Sequence, residues 1–248
     1  MRLLAIAFIL LQFSTAEGQV RTHARNTNAW LMYFGNHKFS NTLGLHAEVQ
    51  WRRNDFFADN QQLLLRTGFD FYARRDVRFT LGYAFVETHP YGEFAVPQAF
   101  PEHRIWQQVL VPHDLGRIKL AHRYRLEQRM IGNASTGRFE DGRYENRGRY
   151  MAKATMDVSR GGNPVFVALY NEVFVNFGDD VAYNLFDQNR LYAALGYTIV
   201  PVLKLELGYL YQVVQLRGLD ATSLQKKIEN NHTFQIALFS NLSLSKKG

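Results

Sequence analysis

The chain has 248 residues and a net charge of +7, is 46% hydrophobic and 14% aromatic, and contains 0 cysteines. The length suits one domain of barrel size, and the lack of cysteine excludes a disulfide framework and thiolate chemistry. The basic residues alternate with apolar ones and form no Lys/Arg block, so we expect no nucleic-acid partner.

The N-terminus predicts an exported protein. A charged start is followed by an apolar run over residues 3–13 and by small and polar residues up to Gly18. This pattern is typical of a secretory signal peptide, and the run is shorter than the roughly 20 residues of a membrane-spanning helix. We therefore expect a signal peptide over residues 1–18, cleaved near Gly18. Residues 19–27 would form an N-terminal tail or an extra strand, and residues 28–248 a single barrel domain.

Short segments with alternating apolar and polar residues then recur along the chain. In residues 42–53, for example, Val49 and Trp51 fall on one face of a strand, with Glu48 and Arg52 on the other. The segments are residues 28–38, 42–53, 61–75, 77–88, 102–111, 117–130, 143–158, 164–177, 186–200, 203–215 and 231–244. Because successive side chains of a strand point to opposite faces, this period predicts an all-β fold.

The most informative segment is His-Arg-Tyr-Arg-Leu-Glu-Gln-Arg at residues 122–129. As a strand, it carries three arginines and Glu127 on one face, and Tyr124 and Leu126 on the other. Such a strand fits a transmembrane barrel, which has a polar lumen and a lipid-facing wall. The alternative is a soluble periplasmic barrel that binds a small ligand, and this alternative requires the apolar face to be the interior.

The connections between the segments alternate between short and long. Longer ones occupy residues 55–60, 89–101, 131–141, 178–185 and 217–230. Outer-membrane barrels have short periplasmic turns, longer extracellular loops and an even number of strands in single bacterial chains. Although we identify eleven segments, we therefore expect a single antiparallel transmembrane β-barrel of about 12 strands, with ten as the alternative.

Charged side chains on the inner face of these strands are the candidate functional residues. They are Glu48, Arg66, Asp70, Arg104, Arg123, Arg125, Glu127, Arg129, Arg147, Arg149, Glu172, Arg190 and Glu206. Arginine pairs bidentately with carboxylates and stays charged, so this set could fill the lumen as a structural network. Alternatively, its excess of arginine could line a narrow passage or pocket that weakly prefers anions.

Other candidates for chemistry have less support. His46 and Glu48 share a strand face and could share a cation or a proton, but no metal-binding motif occurs, and we expect no cofactor. His89, His103 and Glu102 would lie near the outer rim, where a lipid-active outer-membrane enzyme could have its site. This enzyme alternative is not our prediction.

Two aromatic features carry structural expectations. Trp30, Trp51 and Trp106 each fall near an expected strand end, where a role in the membrane-interface girdle is the default. Residues 89–101 form a loop rich in Pro, Gly and aromatic residues. It is either a stiff surface loop or a loop that folds over the pore or contacts a ligand.

Six segments together are similar to a known family. They are residues 36–40, 43–52, 62–68, 102–108, 122–129 and 189–197. They resemble an uncharacterised family of Gram-negative outer-membrane proteins known as domain of unknown function number 2490, over nearly the whole mature chain. The resemblance implies an outer-membrane β-barrel and transfers no catalytic or binding residue. We accordingly expect outer-membrane lipid and the barrel-assembly machinery as partners, and leave the oligomeric state open.

Overall fold

The computed structural model describes residues 21–73, 76–158 and 164–243. The expected signal peptide and its cleavage site near Gly18 lie outside these residues. No helix within the described ranges is long and apolar enough to cross a membrane.

A closed β-barrel is formed by the described residues, which confirms the all-β prediction. The strands are β1 (Arg21–Lys38), β2 (Leu43–Asn54), β3 (Asp59–Tyr72), β4 (Arg78–Thr88), β5 (Phe100–Leu115), β6 (Ile118–Ile131), β7 (Arg143–Asp157), β8 (Val165–Phe177), β9 (Phe186–Val200), β10 (Leu203–Leu219) and β11 (Lys226–Ser240). Each strand pairs with its chain neighbours in antiparallel register, so the polypeptide runs up and down around the barrel.

The barrel closes on a parallel pair of strands. The described part of the chain has eleven strands, the number of alternating segments, rather than the even number expected. In an up-and-down sheet of odd strand number, the first and last strands run in the same direction. Hence β1 and β11 pair in parallel, from Arg21 opposite Lys226 to Gly35 opposite Ser240, unlike the other pairs of neighbouring strands.

The N-terminal residues contribute directly to this closing pair, which we call the seam. The sequence predicts a tail or an extra strand over residues 19–27, whereas residues 21–27 form the first part of β1. On the inner side, the Asn26 amide donates to Asn231 Oδ1 at 2.8 Å, and the Asn28 amide donates to Thr233 Oγ1 at 3.4 Å. Parallel ladders are slightly less stable per residue than antiparallel ones. These buried side-chain hydrogen bonds therefore stabilise the weaker pairing at the seam.

The two faces of the wall differ as the alternation predicts. Outside, large apolar side chains are exposed, with Phe69 64% and Leu195 57% accessible. Inside, the buried side chains are mainly charged or amides, and Glu127 is completely inaccessible. This is the reverse of a soluble barrel, so the alternative with an apolar ligand-binding interior is wrong.

The connections define two ends of the barrel. Residues 89–99, 132–142 and 178–185 lie at one end, which we call the long-loop end, while tight turns such as residues 201–202 lie at the other. The connection between β2 and β3 is shorter than expected. It turns tightly through Asp55 and Phe56, which have φ angles of 46° and 61° in the left-handed region.

The parallel seam predicts which cysteine pairs can be cross-linked in a chain that has 0 native cysteines. Thr27 lies opposite His232, and Tyr33 lies opposite Leu238, all on the outer face. Neighbouring strands lie within disulfide reach, so Thr27→Cys/His232→Cys and Tyr33→Cys/Leu238→Cys should both oxidise readily. Mobility on non-reducing gels, before and after mild oxidation, measures this.

The crossed pairs Thr27→Cys/Leu238→Cys and Tyr33→Cys/His232→Cys are the matched controls. In a parallel seam their members lie about 20 Å apart and should stay reduced. Oxidation of the crossed pairs, with none of the direct pairs, would show an antiparallel seam instead.

Candidate functional site

The structure places all of the sequence-predicted lumen residues on the inner face of the barrel. Ten are buried: Glu48, Arg66, Asp70, Arg104, Arg125, Glu127, Arg147, Glu172, Arg190 and Glu206. Arg123, Arg129 and Arg149 are partly buried, and each makes an ion pair. Successive side chains of a strand point to opposite faces. Where one strand carries several of these residues, they lie an even number of positions apart and therefore share the inner face.

Glu127 on β6 is the centre of this ionic network. Its carboxylate accepts hydrogen bonds from Arg66 Nη2 at 3.2 Å, Arg149 Nη1 at 2.7 Å and Arg147 Nε at 2.9 Å. A fourth guanidinium, that of Arg125, lies 3.7 Å away. Charge-assisted bonds of this kind are about twice as strong as neutral ones, so strands β3, β6 and β7 are tied together across the lumen.

Two further carboxylates extend the network towards the short-turn end. Glu172 accepts from Arg123 Nη2 at 2.7 Å and Arg149 Nε at 3.0 Å. Glu48 accepts from Arg66 Nη1 at 2.8 Å. Since Arg66 and Arg149 each contact two carboxylates, the network is continuous rather than a set of separate pairs.

The remaining predicted acids have partners of their own. Asp70 accepts from Thr80 Oγ1 at 2.6 Å and lies 3.7 Å from Arg78 Nε. Glu206 accepts from Lys153 Nζ at 2.8 Å and from the Tyr192 hydroxyl at 3.2 Å. These two acids therefore stabilise the wall beside the network rather than its centre.

Towards the long-loop end the structure adds acids that the predicted set lacks. Glu102 accepts from both Arg104 Nε and Arg129 Nε at 2.6 Å. Asp187 accepts from Arg147 Nη1 at 3.0 Å. An irregular register between β8 and β9 leaves consecutive residues 187 and 188 both buried, so strict alternation does not find Asp187.

Two small cavities lie on either side of a shared ionic layer. The cavity at the long-loop end has a volume of about 170 Å³, and the cavity at the short-turn end about 190 Å³. Both are lined by Gln50, Arg66, Arg149 and Arg190, which therefore form the layer between them. Each cavity has room for a few waters or one small ion.

The loop of residues 89–99 folds over the long-loop end. The Tyr91 hydroxyl donates to Glu229 Oε2 on β11 at 3.1 Å and lines the cavity beneath. Gly92 has a φ of 67° and packs against the Asn26 side chain, where a Cβ atom would collide. Burial raises the pKa of the Tyr91 hydroxyl, as does the neighbouring Glu229 carboxylate, so the hydroxyl remains a donor. The loop therefore folds over the end of the barrel interior and contacts both strands of the seam.

Two of the three tryptophans point into the barrel, although the sequence predicts all three for the membrane-interface girdle. Trp51 is 44% exposed on the outer face, but Trp30 and Trp106 are 2% and 0% exposed inside the barrel. The Trp30 indole donates to Gln61 Oε1 at 2.7 Å. The guanidinium of Arg125 lies 4.8 Å from the Trp106 ring, so this ring serves as a platform for an interior cation.

The residues considered for enzyme chemistry are not brought together. Glu102 faces the interior, while its neighbour His103 faces outward and packs against the Phe139 ring at 4.8 Å. His89 lies 3.6 Å from Glu87 on the rim. His46 does contact Glu48, at 3.3 Å, but among the residues described no group of three or more potential ligands forms a metal site.

Removal of the central carboxylate should strongly destabilise the barrel. Glu127→Ala leaves several buried guanidinium groups without their counter-charge, and breaking a buried pair costs about 3–5 kcal/mol. We expect that loss in the free energy of unfolding, measured by urea titration of refolded protein. The control is Glu140→Ala, which removes a pair with Arg138 whose side chains are 72% and 68% exposed, and should cost less than about 1 kcal/mol. Equal losses in the two variants would contradict the central role of Glu127.

Loss of the Tyr91 hydroxyl should release the loop over the cavity. We expect Tyr91→Phe to increase amide hydrogen exchange in residues 89–99, because the loop loses its bond to Glu229. Tyr144→Phe is the control, since it removes an exposed hydroxyl bond to Asn146 of 3.0 Å. Unchanged exchange in Tyr91→Phe would mean that backbone contacts alone hold the loop.

Comparison with known proteins places the chain in a family without assigning an activity. A solved structure described as the NanC porin in a rhombohedral crystal form is similar, with 12% sequence identity and a TM-score of 0.48. The match covers 84% of this chain and 90% of that one. No curated protein matches. The family model "Protein of unknown function (DUF2490)" matches residues 27–223, which is most of the chain. The protein is therefore a member of the DUF2490 family.

Proposed function

We propose that this protein is an outer-membrane β-barrel whose lumen is a narrow passage that favours small anions. The observation that carries the proposal is the excess of arginine over carboxylate inside a barrel whose outer wall is apolar. In this proposal lipid surrounds the apolar outer wall, and the arginines make the lumen selective for anions.

The outer wall supports a membrane location. A closed barrel satisfies all of its backbone hydrogen bonds between strands, as a lipid environment requires. Aromatic clusters occur towards both ends of the wall, as in an interface girdle. Tyr83, His103 and Phe139 pack together near the long-loop end, while His113, His122 and Tyr150 pack together towards the short-turn end.

The interior supports a preference for anions. The predicted lumen set contains eight arginines and five carboxylates, a difference of +3. Outside that set the inner face also carries the cations Arg52, Arg78, Arg143 and Lys153 and the acids Glu102, Glu145, Asp187 and Glu229, which together leave this difference unchanged. Arg125 and Arg190 make their closest side-chain hydrogen bonds to neutral amides, with Arg125 Nη2 2.6 Å from Gln108 Oε1 and Arg190 Nε 3.1 Å from Gln188 Oε1. Rings of arginine in a low-dielectric passage attract anions and repel cations.

The same ionic layer supports a narrow rather than a wide passage. Side chains fill the interior of small barrels, and here the cavities on either side of the layer are small. Passage therefore requires the layer to open briefly, which favours ions and small solutes. The completely buried Glu127 also supports a second candidate, a structural barrel whose lumen stays shut.

Recording from planar lipid bilayers tests the proposal. Purified protein is first shown to be folded by its heat-modifiable migration on gels. We expect small single-channel currents whose reversal potential in a KCl gradient shows a preference for chloride. Arg125→Gln should lower this preference, whereas Arg138→Gln, at an exposed loop position, should leave it unchanged.

Three results would each contradict one part of the proposal. Absence of current from folded protein would overturn the passage and favour the structural barrel. Current with a preference for potassium would overturn the role of the arginines. Recovery of the native protein from the soluble periplasm would overturn the membrane location.

A further inference from the structure

We infer that the cavity at the long-loop end is a binding site for one small oxyanion group, a carboxylate or a phosphate, held by Arg52 and Arg190 beside Trp30. The inference rests on the proposed function and extends it, because it identifies where in the lumen an anion would bind. Arg52 lies outside the predicted lumen set.

Neither arginine forms an ion pair within the part of the chain that the structure describes, although Arg190 lies opposite Glu172 on the neighbouring strand. Arg52 Nη1 donates to Gln62 Oε1 at 2.6 Å, and its Nε donates to Gln50 Oε1 at 2.9 Å. Arg190 donates to Gln188. Within the described residues no carboxylate lies within 4.0 Å of either guanidinium group, in contrast to Arg66, Arg147 and Arg149. Their charges are thus available to a ligand.

The two guanidinium groups are held against one aromatic ring. Arg52 lies 4.2 Å and Arg190 5.4 Å from the centroid of Trp30. The ring is buried, and its indole nitrogen is fixed by the bond to Gln61. Two like charges held near one ring repel each other, and an anion between them would offset this repulsion. The arrangement is therefore preorganised for negative charge.

The composition and size of the cavity define the ligand class. The other charged residues that line it are Arg66, Arg104, Arg129, Arg147, Arg149 and Asp187. The one acid among them is already paired with Arg147. The volume of about 170 Å³ is below that of pockets for drug-sized ligands, roughly 300 Å³ and more, so the ligand presents a single anionic group.

The second cavity has a smaller excess of positive charge. Three carboxylates, Glu48, Glu172 and Glu206, line it together with arginines, whereas Asp187 is the one acid that lines the first. The excess of positive charge is therefore larger at the long-loop end, under the loop held by Tyr91. This asymmetry favours capture of the anion from the long-loop side.

Titration calorimetry with sodium phosphate and with sodium acetate, on folded protein in detergent, tests the site. We expect wild-type protein to bind at least one of the two anions, and the stronger of the two identifies the group. Arg52→Gln and Arg190→Gln should each weaken binding by about 10-fold or more, because each removes charged hydrogen bonds.

Arg53→Gln is the matched control. Arg53 is the next residue on the same strand, but it bonds to the Phe57 and Ala58 carbonyls in the β2–β3 turn and packs on Trp51 outside the barrel. Its removal changes the net charge equally and should leave binding unchanged. Equal weakening by Arg52→Gln and Arg53→Gln, or no binding by wild-type protein, would overturn the inference.

A measurement on wild-type protein covers the case in which the variants fail to fold. Phosphate or acetate should slow the reaction of Arg52 and Arg190 with phenylglyoxal, read by mass spectrometry, without slowing that of Arg53. Equal rates with and without the anion would overturn the site. Anion current without binding would remove this site and leave the proposed passage, whereas binding without current would remove the passage and leave the site.

Discussion

The buried charge of Glu127 is the constraint on which the interior of the barrel depends. A carboxylate without access to water is stable only when cations surround it, and here the guanidinium groups of Arg66, Arg147 and Arg149 do so. Those arginines then reach further acids, including Glu172 and Asp187. Because these arginines contact more than one carboxylate, they form a continuous ionic layer across the lumen. This layer separates the two cavities.

The outer wall and the seam fit a second requirement, which holds if the barrel lies in a membrane as proposed: a sheet in lipid has no free edge. An odd number of alternating strands can meet this requirement only by closing in parallel, and the β1 and β11 ladder does so. Buried amides such as Asn26 and Asn231 then strengthen the inner side of the seam. The same closure brings Arg52 and Arg190, from β2 and β9, close to Trp30 on β1.

The sequence predicts the faces of the strands well, because a slip of one residue would exchange the inner and outer faces. The charged face of residues 122–129 is accordingly inside. Of the partners of Glu127, Arg147 and Arg149 lie on β7, the next strand along the chain. Arg66 on β3 faces Glu127 only when the barrel closes, so this contact could not be predicted. An aromatic residue near a strand end usually lies in the girdle, which predicts that position for Trp30 and Trp106, but both face inward.

Other differences also have local causes. The expectation of an even number of strands comes from other barrels. The sequence of this chain has eleven alternating segments, which is the number of strands in the described residues. Asp187 is inside because the β8 and β9 register is irregular, which hydrophobic alternation does not reveal. The contact of Tyr91 with Glu229 joins a loop to a strand far along the chain, so no local pattern predicts it.

The central claim is that the ionic faces of the strands enclose the lumen while the apolar faces contact lipid. Spin-label scanning of residues 120–130 in lipid bilayers tests it most directly, because oxygen dissolves in lipid and a water-soluble nickel chelate does not. We predict high oxygen accessibility at positions 120, 124, 126 and 130, and low oxygen accessibility at positions 121, 123, 125, 127 and 129. High oxygen accessibility at the second set of positions, or no alternation at all, would contradict the account.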